Sequence, residues 1–76
     1  MNIQTIRDNL KNTIAGKEQL YANHAQEMRN LYGSTEEDSY TKLAVCLSSM
    51  EYLRINIDEL KRILQDVEQC IEKETT

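Results

Sequence analysis

The chain has no proline, tryptophan or phenylalanine, and only two glycines among its 76 residues. Multi-strand folds depend on Gly and Pro at their turns, so most of the punctuation such a fold needs is missing. Cysteine is sparse as well. Cys46 and Cys70, if carried on one helix, would lie ~36 Å apart at 1.5 Å per residue, too far to bridge within a chain. They read as core or interface thiols, not as a disulfide framework. No apolar run approaches the ~20 residues of a membrane span. The opening segment MNIQTIRDNLKN lacks the apolar stretch of a signal peptide. A cytoplasmic location without a membrane partner is the expectation. The length suits a single domain, 1–76, too small to be more than marginally stable as a monomer.

Positive charge is also short, with 9 basic against 13 acidic side chains. Nucleic-acid-binding domains carry a basic stripe to neutralise phosphates, so no nucleic-acid partner is expected. The imbalance sits in the second half: residues 34–76 hold five basic and ten acidic side chains, residues 1–33 four and three.

What is present is helical periodicity. The segment Tyr32-Gly33-Ser34-Thr35-Glu36-Glu37-Asp38 is the strong break. Gly33 suits a left-handed helix terminus. Ser34 with Glu37, or Thr35 with Asp38, has the spacing of a capping box. Two helices, about 3–32 and 35–72, should therefore fold back as an antiparallel hairpin. The second carries apolar side chains at Leu43, Cys46, Met50, Leu53, Ile57, Leu60, Leu64, Val67 and Ile71, the alternating three-four spacing of a coiled-coil seam. Glu51 with Arg54 and Asp58 with Arg62 are flanking ion-pair candidates. The first helix is less regular: Ile3, Ile6, Leu10 and Ile14, then Tyr21, His24, Met28 and Leu31. Lys17 stands where an apolar residue is due, beside Gly16. Lys17-Glu18 offers no N-cap, which favours a continuous helix.

A pivot near Gly33 pairs positions whose numbers sum to about 67. Met28 then faces Tyr40, Tyr21 faces Cys46, and Val67, Cys70 and Ile71 overhang the first helix. Ala44, Val45, Leu47, Tyr52 and Ile55 lie off the seam, so residues 43–57 are apolar on several sides. A helix of that kind is normally covered on more than one side. The expectation is an all-α hairpin that oligomerises into a helical bundle. Its interface set is Leu43, Val45, Cys46, Leu47, Met50, Tyr52, Leu53, Ile55, Ile57, Val67 and Ile71.

Catalytic signatures are missing: no glycine-rich phosphate loop and no Ser/His/Asp set. Cys46 and His24 approach across the hairpin, but a buried thiol in apolar surroundings is inert. No Cys, His and carboxylate cluster at ligand spacing in the sequence, so no metal and no cofactor are expected. The tyrosines read as half-buried rings with wet hydroxyls. Tyr32, Arg29 and Tyr40 form a candidate contact patch at the turn. Lys17, Tyr21, Arg7 and Arg54 are candidate contacts for a small anionic ligand, such as a nucleotide, at a subunit interface.

A short acidic helical hairpin resembles small bacterial and phage accessory proteins, among them secretion co-chaperones and phage-encoded inhibitors. That likeness is of shape and carries no residues across. The functional expectation is a non-enzymatic protein-binding adaptor or inhibitor that self-associates. A binder of a small anionic ligand and a secretion-type co-chaperone are the alternatives.

Overall fold

The computed structural model describes residues 2–34 and 37–75. They form α1 (Ile3–Tyr32) and α2 (Ser39–Thr75), packed along their length as an antiparallel hairpin, 60 Å long and 17 by 15 Å across. No strand occurs among the described residues, and no helix among them is long and apolar enough to cross a membrane.

α1 starts at a cap that the periodicity alone does not flag. Asn2, in extended conformation, accepts the Thr5 main-chain N–H on Oδ1 at 2.8 Å and the Thr5 hydroxyl at 3.0 Å. This satisfies a donor that the helix start would otherwise leave open. The helix then runs unbroken through Gly16. Its inward residues are Ile3, Arg7, Leu10, Ile14, Lys17, Tyr21, His24, Met28 and Leu31, all at least half-buried. Arg7, not Ile6, thus occupies the seam, and Ile6 is 39 % exposed. A strict alternation of three and four residues selects position 7, and the local string of isoleucines had suggested position 6.

The seam of α2 falls on the expected residues. Cys46, Met50, Leu53 and Ile57 are buried, and Leu43, Leu60, Leu64, Val67 and Ile71 are half-buried. Ile14, Leu53 and Ile57 form the centre, with Tyr21, Leu60 and Leu64 packed against it. At about 25 cal/mol per Å² these side chains supply most of the driving force for pairing the helices.

The turn differs from the expectation in three ways. α2 begins at Ser39, four residues later than Thr35. Asp38 organises the start: its carbonyl accepts the Lys42 N–H at 3.1 Å and its carboxylate meets the Lys42 ammonium at 3.4 Å. Gly33 has φ −92° and ψ 0°, not a left-handed conformation, and α1 closes with the Ser34 N–H donating to the Leu31 carbonyl at 3.0 Å. Ser34 is therefore not the N-cap of α2, and the alternative cap Thr35 lies outside the described residues.

A longer turn moves the pivot. Cys46 meets His24, the approach across the hairpin that the sequence also allowed, and Glu18 pairs with Lys61, so facing positions sum to more than the ~67 of the simple pivot. The expected overhang shrinks accordingly. Val67 and Ile71 are half-buried, and Cys70 is exposed.

Candidate functional site

The two long edges of the hairpin differ in chemistry. One edge is fixed by an ion pair between helices, Glu18 Oε2 to Lys61 Nζ at 3.1 Å. Steps of seven residues from these positions stay on the same edge. They reach Lys11 on α1, and Arg54 and Glu68 on α2. Arg54 is held between Glu51 at 2.6 Å and Asp58 at 3.7 Å. Its guanidinium, through hydrogen bond and charge, holds the Glu51 carboxyl below the usual range. Asp58 therefore pairs with Arg54, in place of the expected Arg62. Arg7 and Asp8, 3.1 Å apart, lie on this side too.

The opposite edge lacks such charges along most of its length. On α1 it carries Ile6, Thr13 and Leu20, with Asn9, Gly16 and Asn23 one step outward. On α2 it carries Ser49, Asn56 and Ile63, with Val45 and Tyr52 one step outward. None of these is charged. Five of them are large apolar side chains left exposed, including Val45 at 62 % and Tyr52 at 68 %. A Cβ built on Gly16 meets nothing within 4 Å, so the glycine marks a smooth, open place on this face. Glu27 and Lys42 bound it at the turn end, Glu59 interrupts its outward row between Asn56 and Ile63, and Asp66 bounds it towards the C-terminus of α2.

At the Glu27 end lies an open cleft of about 200 Å³ lined by His24, Glu27, Thr41, Lys42, Val45 and Cys46. The Cys46 thiol donates to the His24 carbonyl at 2.9 Å. Burial pushes its pKa up and the Glu27 carboxylate adds to this, while a main-chain hydrogen bond from Met28 acts the other way. His24 Nδ1 stands 3.8 Å from Glu27 Oε2. The sequence scatters these three side chains, and the fold gathers them. Their ligand atoms lie within 4.8 Å of one another, which corrects the expectation that no such cluster exists. The signal was present as the spacing of His24 and Glu27, one turn apart on α1.

The remaining candidate residues do not converge. Arg7 and Lys17 lie ~15 Å apart along α1, and Arg54 is engaged by its own acids. Lys17 is a half-buried cation on the seam, without an ion pair among the described residues. Tyr21 is half-buried, as expected of all the tyrosines. Tyr32, Tyr40 and Tyr52 are exposed, Tyr40 at 84 %, because they fall on flanking or outward positions where the second helix does not reach. Arg29, also exposed, donates to Gln26 at 3.1 Å. Leu47 and Ile55 are exposed outside the uncharged face.

No family model matches the chain, and neither a curated protein nor a solved structure is similar to it.

Proposed function

We propose that this chain is a non-enzymatic binding protein that works as a self-associated helical bundle, an adaptor or inhibitor of other proteins. The uncharged face between Ile6 and Asn23 on α1 and between Val45 and Asn56 on α2, continued past Glu59 by the exposed Ile63, is the observation that carries this reading. Its first occupant is a second copy of the chain. Each copy has a net charge of −4, so two copies repel unless they meet where charge is lacking. The area fits as well. The hairpin exposes 5681 Å², whereas a globular monomer of its mass exposes ~4,800 Å². The surplus of ~900 Å² compares with the ~800 Å² that each partner of a standard interface buries. A pair joined on this face is a four-helix bundle with its ion-paired edges outward. Those ion-paired edges, and the exposed Tyr32 and Tyr40 at the turn, are then left to meet a further protein. Free, unbridged thiols fit a reducing compartment such as the cytoplasm.

Light scattering of the full chain tests the self-association. Dimer mass at micromolar concentration, falling to monomer mass in Leu20→Glu with helicity retained, is the expected result. Monomer mass in the parent at high concentration overturns it.

Lys17 supports a second reading, in which the bundle binds a small anionic ligand. A half-buried lysine on the seam beside Tyr21 is the feature a phosphate-bearing molecule would complete. A rise in melting temperature with nucleotides, lost in Lys17→Met, is the expected result under that reading.

A further inference from the structure

The cleft at the turn end has a donor set that self-association does not use. His24 and Glu27 present a nitrogen and a carboxylate from successive turns of α1, and Cys46 brings a sulfur from α2. The three are graded in depth. Cys46 is buried, His24 half-buried and Glu27 exposed, so an ion would enter past the carboxylate and settle on the thiol. A tetrahedral site with bonds of 2.0–2.3 Å needs donors roughly 3.3–3.6 Å apart. His24 and Glu27 are 3.8 Å apart, and the whole set falls within 4.8 Å. Closing it takes ~1 Å of side-chain movement, within reach of His and Glu rotamers on an open cleft. A histidine and a carboxylate one turn apart on a bundle helix, facing a donor from the neighbouring helix, is an established way of holding a metal.

We propose that His24, Glu27 and Cys46 form a three-ligand site for a borderline divalent metal ion of the zinc type, with a fourth position open at the mouth of the cleft. Nitrogen, sulfur and oxygen donors together select such an ion over magnesium or calcium, which take oxygen alone. Loading replaces the thiol proton. The S–H bond breaks, a metal–sulfur bond forms, and the proton passes to solvent with no change of oxidation state. The Lys42 ammonium lines the same cleft but is drawn to Asp38 at 3.4 Å. Because loading releases the thiol proton, binding strengthens as pH rises.

Cobalt(II) titration of the full chain under reducing, oxygen-free conditions is the test. One equivalent should produce a thiolate-to-cobalt charge-transfer band with the visible bands of a tetrahedral site, and zinc should bleach them. Cys46→Ser should abolish the charge-transfer band and Cys70→Ser should leave it. Glu27→Gln and His24→Gln, whose side chains are not core, should each weaken binding about tenfold or more; they keep the test open if Cys46→Ser fails to fold. A band that follows Cys70, or none with millimolar cobalt on folded protein, overturns the proposal. The titration repeated on Leu20→Glu separates this site from self-association, because the cleft lies within one copy.

Discussion

The Sγ of Cys46 on α2 donates to the main-chain carbonyl of His24 on α1 at 2.9 Å. That bond fixes the register of the two helices near the turn and sets the thiol at the base of a cleft. Cys70, on the same helix, points into solvent. Two thiols of one chain thus occupy opposite environments.

Labelling should divide them. A thiol reagent reacts with thiolate, and only when it can reach it. Cys70 is expected to react within the dead time of a manual assay, and Cys46 about tenfold more slowly or worse, limited by local opening. Mass spectrometry of partly labelled protein reads the two rates. Equal rates would mean that Cys46 is not on the seam.

Alkaline pH should destabilise the fold through the same side chain. Burial raises the folded thiol pKa above its unfolded value. The stability tied to the neutral thiol is present in full below the ordinary thiol range of ~8.5 and is lost as pH rises through the folded pKa. Urea midpoints measured from neutral to alkaline pH should fall for the parent and fall less for Cys46→Ala.

Core and surface apolar residues should separate sharply. Leu53→Ala, at the centre of the packed cluster with Ile14 and Ile57, is expected to cost about 2–5 kcal/mol. That is enough to unfold much of a chain this small. Ile55→Ala, two residues on and exposed, should change stability by no more than about 1 kcal/mol. Urea unfolding followed by circular dichroism measures both.

Gly16 and Lys17 give the fourth test. Gly16→Ala meets no obstacle within its own chain and should stabilise α1 by roughly 1 kcal/mol. Combined with Lys17→Leu, it fills the gap in the seam. If the pair contacts a partner or ligand, the double variant should melt higher yet lose binding. Melting temperature beside light scattering and nucleotide titration resolves the two outcomes. Retained binding with higher stability removes any functional role for this pair, because the Lys17 stem already lies along the seam with its ammonium free to reach water.

The hairpin was readable because α2 repeats its apolar pattern without interruption from Leu43 to Ile71, and such a pattern is satisfied by one geometry. The start of α2 was not, because Ser34, Thr35 and Asp38 are all competent caps and sequence spacing alone does not rank them. That uncertainty of four residues passed into the register, and so into which residue Cys46 meets. Ile6 misled for a different reason. Local hydrophobicity favoured it, whereas the alternation carried through Leu10, Ile14 and Tyr21 required Arg7, an apolar stem with a polar end. The uncharged face needed the pairing of edges, which comes from Glu18 and Lys61 meeting across the helices. The approach of Cys46 to His24 and the one-turn spacing of His24 and Glu27 were each legible, but their convergence in one cleft was not, since the offset of the two helices was still open.

The rod shape governs how assembly would register in solution. A radius of gyration of 17.3 Å, against ~11 Å for a compact chain of this length, is set mainly by extension along one axis. Two hairpins laid side by side keep that axis and add only to the thickness. Forward X-ray scattering at a given mass concentration would then double while the radius of gyration hardly moved. Association end to end would lengthen the axis, and both quantities would climb together.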